Sequence, residues 1–313
     1  VAQDLKLTTK IGEVELATPL IGASGLFGYG DEYEGLLDYA SMGAIVTKTI
    51  TEEPRAGNPP PRMVDVGSGI INSIGLENIG IREFLNDRLP RLEVPCKLFV
   101  SIGGATIGEY CRLAGRLDGA ASISAIEVNI SCPNVEEGGM AFGSDPESTR
   151  KVIEGVKDET GLAVLAKVPP VIWGLDEVCG AAIEAGADAL IVANTYPAMS
   201  IDLESAAPVL GAVTGGLSGG AVKPVSLLLV WRAARGFGVP VVGVGGIEEP
   251  EDAIEFMLAG ACAVQVGSAI LKDYRTPSRI VEGIGRYMEK KGYGSLHDFI
   301  GKAAQQEEAS GKE

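Results

Sequence analysis

The chain has 313 residues, 46% hydrophobic and only 5% aromatic, with 26 basic against 42 acidic side chains and a net charge of −16. So acidic a globule is ill suited to non-specific binding of nucleic acid or anionic membrane, and an anionic ligand would have to be met by a local cluster of lysines and backbone amides. The single histidine, His297, lies past the last strand pattern, which disfavours histidine triads and His-rich metal sites and leaves thiol, lysine, carboxylate, amide or a bound cofactor to carry any chemistry.

A hairpin comes first, with strands expected at Leu5–Thr9 and Val14–Ala17 around a turn at Ile11-Gly12. Short apolar runs then alternate with longer amphipathic ones. The strand candidates are residues 20–23, 44–47, 98–100, 126–129, 164–167, 190–193, 241–244 and 263–266, several apolar almost throughout, as parallel strands covered on both faces should be. Helical periodicity runs over 148–159, 176–185, 225–235, 250–259 and 279–290, with Pro224 and Pro250 near first turns and Gly186 and Gly260 as closing residues. A length of 313 residues admits two α/β domains or one large barrel. With eight βα units and no Pro/Ser-rich or charged linker, one domain over residues 1–313 is expected: a (β/α)8 TIM barrel with an N-terminal β-hairpin.

Three connections on the C-terminal side of the strands are longer than packing requires: 50–79, 132–146 and 196–223. In a barrel such loops stand over the mouth. The middle one, rich in glycine and acid (Val135-Glu136-Glu137-Gly138-Gly139), could serve as a mobile cover.

The five cysteines, Cys96, Cys111, Cys132, Cys179 and Cys262, are odd in number and form no CxxC pair, so no disulfide framework, zinc site or iron–sulfur site is expected within the chain. Four sit in apolar patterns and read as small buried hydrophobes. Cys132 differs. It lies in Asn129-Ile130-Ser131-Cys132-Pro133-Asn134, at the end of a strand and between two carboxamides, a setting for proton abstraction from a small polar substrate. The N-terminal residues lack a signal-peptide profile and no apolar run approaches the roughly 18 residues of a membrane span, so a soluble cytoplasmic protein is expected.

The strand ends carry Ser24, Lys48, Asn129, Lys167, Asn194-Thr195, Gly245-Gly246 and Gly267-Ser268. Polar groups at this rim are where a barrel places its chemistry, and bare backbone after the seventh and eighth strands commonly holds a phosphate. A glycine pair alone is equally a plain turn. Strand lysines are usually solvated, but Lys48 and Lys167 follow apolar residues, and two ammonium groups in one pocket would stabilise an anion such as a reduced flavin or a carboxylate. A Schiff-base lysine is the other chemical option. Asn72, Asn129, Asn134 and Asn194 could surround a planar heterocycle of alternating donors and acceptors, although each alone reads as a turn or cap residue.

Together NSIGLENIG, NISCPNVEEGGMAFG, VANT, GGLSGGAVKP, GVGGI and VGS resemble the dihydroorotate dehydrogenases, over nearly the whole chain from Ser24 onward. A cysteine in NISCPN is similar to class 1, since the membrane-associated class 2 enzymes carry serine there, and the VEEGGMAFG continuation is most similar to class 1B. The resemblance implies an FMN barrel oxidising dihydroorotate to orotate in pyrimidine (UMP) biosynthesis, paired as a homodimer and joined to an electron-transfer subunit with FAD and a [2Fe–2S] cluster that passes electrons to NAD. It implies Cys132 as the base removing the C5 proton while C6 gives a hydride to the flavin. Lys48 would touch flavin and substrate. Asn72, Ser73, Ile74, Gly75, Leu76, Asn129, Asn134, Asn194 and Thr195 would bind the pyrimidine and its carboxylate. Lys167 would lie near flavin N1 and O2, and Ser24, Thr49, Ser101, Asn129, Ala193, Gly219, Gly245, Gly246, Gly267 and Ser268 would complete the FMN site.

Departures follow Lys167 (Val168-Pro169-Pro170), Thr195 (Tyr196-Pro197-Ala198) and Gly219 (Gly220 in place of proline), and Ser101 replaces a common asparagine. A fumarate-using class 1A enzyme, an FMN dehydrogenase of another dihydropyrimidine, a Schiff-base lyase on a phosphorylated substrate, and a non-catalytic interaction barrel are the alternatives.

Overall fold

The computed structural model describes residues 5–131, 133–134 and 140–305, with the backbone alone at 133, 134, 140 and 141. Eight parallel strands close on themselves: β1 (Leu20–Gly22), β2 (Ala44–Val46), β3 (Lys97–Ile102), β4 (Ile123–Asn129), β5 (Ala163–Lys167), β6 (Ala189–Val192), β7 (Val241–Val244) and β8 (Ala263–Val266). Each pairs with its neighbours in sequence order, and β8 with β1. The strand alternation sorts side chains into two cores. Ile21, Ala44, Val46, Phe99, Ala125, Leu165, Ala189, Ile191, Val242 and Ala263 fill the barrel interior. Their immediate neighbours, such as Leu20, Ile45, Leu98, Ile126, Val164, Leu190 and Val264, pack outward against the helices. Burial on both faces is why these strands are apolar at nearly every position.

The hairpin pairs Thr9–Ile11 with Val14–Leu16 about a turn at Gly12-Glu13, and Ile11 and Leu16 plug the N-terminal end of the interior core. Its first strand is shorter than expected. Lys6 is engaged elsewhere, its amide donating to the Gly294 carbonyl at 3.0 Å.

Helices α1 (Ile107–Leu117), α2 (Pro146–Glu159), α3 (Leu175–Glu184), α4 (Lys223–Gly236), α5 (Pro250–Leu258) and α6 (Thr276–Lys291) form the outer layer. The first was not anticipated, although Thr106 caps it by accepting from the Glu109 amide. Asp145 caps α2 in the same way, and Pro146 extends that helix two residues beyond its expected start. The eight strands hold, but not every crossover carries a full α-helix. Between β1 and β2 there is only the short 3-10 turn Tyr39–Ser41, because Gly25, Gly28, Gly30 and Gly35 all take positive φ. Phe27, Tyr29 and Tyr39 fill the volume a helix would occupy. Between β2 and β3 a four-residue α-helical stretch, Gly80–Glu83, runs into a wider turn and then a short 3-10 turn, Leu89–Arg91.

Two of the long connections do not lie independently over the mouth. Met63–Asp65 and Ile70–Asn72 from one, and Tyr196–Ala198 and Gly215–Ser218 from the other, join in a four-stranded antiparallel sheet, with Asn72 opposite Gly216 and Leu217 opposite Tyr196. Of the third connection, Pro133–Asn134 pairs with Met140–Ala141, and Cys132 with the remainder of the expected cover lies outside the described residues. Among the described residues no helix is long and apolar enough to cross a membrane.

Candidate active site

Continuing the inward alternation of each strand by one step leads from the apolar interior to a polar rim. Val46 gives way to Lys48, Phe99 to Ser101, Ala125 to Glu127 and Asn129, Leu165 to Lys167, Ile191 to Ala193, and Ala263 to Gln265 and Gly267. Above this rim, and under the antiparallel sheet, lies a cavity of about 290 Å³.

Its floor is a buried ionic group. The Lys167 ammonium donates to Glu127 Oε1 and to Gln265 Oε1, each at 3.2 Å, and Gln265 Nε2 donates to Glu127 Oε2 at 2.8 Å. Glu127 is fully buried and Lys167 nearly so. A charge so far from water is tolerated only when paired and hydrogen-bonded, which these three side chains achieve among themselves.

One wall is a network of hydroxyls and carboxamides. Ser101 lies beneath Thr49, their hydroxyls 3.0 Å apart, and Asn129 Nδ2 donates to Thr49 Oγ1 at 3.4 Å. Asn194 Nδ2 reaches Asn129 Oδ1 and Ser131 Oγ at 3.3 and 3.2 Å, while its own Oδ1 accepts from the Thr195 amide. Asn129 and Asn194, on strands that are not adjacent, are thereby locked against each other.

The opposite wall is the segment 72–77. Asn78 fixes it: buried, it donates to Thr51 Oγ1 and the Leu76 carbonyl and accepts from the amides of Thr51 and Gly80. Leu76 is thus held at φ 55°, a left-handed conformation a leucine rarely adopts. The strap 55–62 clamps the same segment from outside, through the paired amides and carbonyls of Arg55 and Asn78 and the Asn58 amide on the Ile74 carbonyl. Asn72 Nδ2 donates to the Gly216 carbonyl at 3.2 Å. A side chain at 216 would force Thr195 aside, since its Cβ would fall 1.9 Å from Thr195 Oγ1. Lys48 Nζ stands 3.6 Å from Glu77 Oε2, which is also 3.2 Å from Arg62 Nη1.

The far end is mostly backbone: Gly219, Gly245, Gly246, Gly267 and Ser268. A Cβ at Gly267 would meet nothing nearer than Ala23 Cβ at 3.5 Å, so the room above it is not taken by the protein's own packing. Asp252, at the start of α5, organises this end by accepting from the Lys223 ammonium at 2.7 Å and from the amides of Glu248 and Glu249. Burial alone would push its carboxyl up, but the Lys223 hydrogen bond and the two amides outweigh burial and hold it below the usual range.

Of the residues the sequence singled out, Ser24, Lys48, Thr49, Asn72, Ile74, Gly75, Leu76, Asn129, Lys167, Ala193, Asn194, Thr195, Gly219, Gly245, Gly246, Gly267 and Ser268 all line this one cavity. Ser73 does not; its hydroxyl accepts from Asn58 Nδ2. Ser101 is fully buried and reaches the cavity only through Thr49. Cys132 and the side chain of Asn134 lie outside the described residues.

Residues 6–288 match the protein family described as dihydroorotate dehydrogenase. The chain belongs to the dihydroorotate dehydrogenase family. It is 45% identical over 302 residues to a protein of Desulforudis audaxviator named "Dihydroorotate dehydrogenase B (NAD(+)), catalytic subunit", covering 96% of this chain and 98% of that one. A protein of the same name from Geobacter sulfurreducens is 43% identical over 296 residues, 94% of this chain and 97% of the relative. The fold is that of the dihydroorotate dehydrogenase of Eimeria tenella solved with ferulenol, with a TM-score of 0.79 at 24% identity over 97% of this chain and 90% of that one. The similarity to the type B catalytic subunits places the chain in class 1B.

Dihydroorotate dehydrogenases depend on a flavin, and the donors here suit one. Small apolar residues (Ala23, Ala193, Val244) offer a flat wall, the Lys167 ammonium a cationic floor, and the backbone around Gly246 and Gly267 an end where a phosphate could approach. Sequence reasoning missed several lining residues of this dehydrogenase: Glu127, Gln265, Tyr196 and Glu77 among them. A signal existed for the first two, a charged and an amide side chain at inward positions of otherwise apolar strands. Tyr196, whose hydroxyl is 3.1 Å from Ser226 Oγ, and Glu77 gave none beyond lying in the right loops. Of the remaining cysteines, all free thiols, Cys179 is buried and Cys96, Cys111 and Cys262 are half-buried. Burial pushes Cys96, Cys179 and Cys262 up to about 12, which leaves them poor nucleophiles.

Proposed function

We propose that this chain is the FMN-containing catalytic subunit of a class 1B dihydroorotate dehydrogenase, oxidising (S)-dihydroorotate to orotate in pyrimidine biosynthesis. The observation that carries the reading is the convergence of Lys48, Asn72, Asn129, Asn194 and Lys167 on one cavity, from five separate segments of the chain. FMN, when bound, supplies the acceptor for the hydride leaving C6 of the substrate. Lys167 would place positive charge at its pyrimidine edge, and Ser24, Thr49, Ala193, Gly219, Gly245, Gly246, Gly267 and Ser268 would hold the remainder, the glycine backbone taking the phosphate. Lys48 and the carboxamides of Asn72, Asn129, Asn134 and Asn194, with Thr195 and the segment 73–76, would orient the planar substrate and its carboxylate.

Cys132 would take the C5 proton as the general base. That role rests on its place in NISCPN. A thiol has an ordinary pKa near 8.5, so only a minority is thiolate at neutral pH and activity should climb on the alkaline side.

The relatives' names, a catalytic subunit linked to NAD(+), support a partner subunit. We assign that partner FAD and a [2Fe–2S] cluster and the assembly a heterotetramer built on a homodimer of this single-domain barrel, in the cytoplasm. A Schiff-base lyase is disfavoured: its nucleophilic amine must be free to attack a carbonyl, and the Lys167 nitrogen is engaged by Glu127 and Gln265. The test is an absorption spectrum of the purified protein before and after anaerobic dihydroorotate. A yellow protein that bleaches is expected; colourless protein that takes up no FMN, or FMN-loaded protein that stays yellow, would overturn the assignment.

A further inference from the structure

Among the described residues three carboxylates line the cavity, and two have fixed employment. Glu127 is held by Lys167 and Gln265, and Glu248 by Lys272 at 2.9 Å and the Gly220 amide at 3.2 Å. The third, Glu77, is the one that faces Lys48, at 3.6 Å, and its nearer partner is Arg62 at 3.2 Å. Arg62 is not part of the lining and is anchored, with Nε donating to the Asn58 carbonyl and Nη2 to the Ala56 carbonyl. Glu77 is therefore tethered to a fixed cation outside the cavity and leans on a second cation inside it.

We infer that Glu77 is the resident counter-ion of Lys48, competing with the substrate carboxylate for that lysine and retreating onto Arg62 when the substrate enters. This rests on the assignment of an anionic dihydropyrimidine to the cavity. Because Arg62 keeps the displaced carboxylate paired, the exchange at Lys48 does not strand a charge. Glu77 touches no reacting atom; it sets how tightly an anion is held.

The test is a titration of FMN-loaded wild type, Glu77→Gln, Arg62→Gln and the double variant with orotate, followed by the shift in flavin absorption. Glu77→Gln should lower the orotate Kd by about two- to fivefold at low ionic strength, the range of a half-exposed ion pair, and the gain should shrink as salt is added. Arg62→Gln should raise Kd, by leaving Glu77 wholly to Lys48, and should change little once Glu77 is glutamine. An unchanged or raised Kd in Glu77→Gln, or an Arg62→Gln effect equal in both backgrounds, overturns the inference. A wild type that gives no orotate signal overturns the substrate assignment beneath it, and this inference with it.

Discussion

Lys167→Met is the most exacting perturbation of the cavity floor. It removes the ammonium from a carboxylate with no exposure to solvent, leaving Glu127 only the Gln265 amide donor at 2.8 Å. Stripping one partner from a buried ion pair costs about 3–5 kcal/mol, a large share of the roughly 5–15 kcal/mol that stabilises an ordinary protein. At about 2 °C per kcal/mol for a chain of this size, the melting temperature should fall by roughly 6–10 °C. Replacing both partners, Lys167→Met with Glu127→Met, removes the stranded charge as well and should return stability to within about 1–2 kcal/mol of wild type. The assay is urea unfolding followed by circular dichroism on flavin-free protein, so that cofactor affinity does not enter the difference. A single variant within 1 kcal/mol of wild type, or a double variant as unstable as the single one, would refute the view that the floor is an interdependent ionic group.

Asp252→Asn should cost about 1–2 kcal/mol at pH 7, because an amide holds the Lys223 ammonium and the Glu248 and Glu249 amides less well. The folded-state carboxyl titrates below its unfolded value, so its contribution is complete above about pH 4 and disappears as pH falls through the lower folded value; thermal unfolding at pH 7 and pH 3 should show the gap closing. Asn78→Ala should cost about 2–3 kcal/mol and raise KM for dihydroorotate with FMN content unchanged, since it frees the backbone that presents Asn72 through Glu77. Cys132→Ala should remain yellow and slow flavin reduction by dihydroorotate about 10²–10⁴-fold in anaerobic stopped flow; rapid bleaching of that variant would remove the cysteine from the mechanism.

The barrel was legible because each strand declares itself locally: a short apolar run and then a polar residue or glycine at the rim. The same alternation that puts Leu165 in the core puts Lys167 two residues on, at the cavity, and a strand pattern carries that information in full. Glu127 and Gln265 were legible by the same parity and were passed over as strand residues like any other. The sheet over the mouth was not legible. Asn72 and Gly216 lie 144 residues apart, and neither segment has a pattern that names its partner. Nor did glycine content alone show that Phe27, Tyr29 and Tyr39 would replace a helix in the first crossover.

Because the roof is woven from two crossovers, its halves are not separable parts. Replacing residues 196–218 with a segment not matched to 63–72 would strip Ile70–Asn72 of a neighbour wherever the new segment fails to pair, leaving a raw strand edge at the entrance, beside the side chain of Asn72. Anyone recasting the specificity of this barrel must transplant the two segments as one piece.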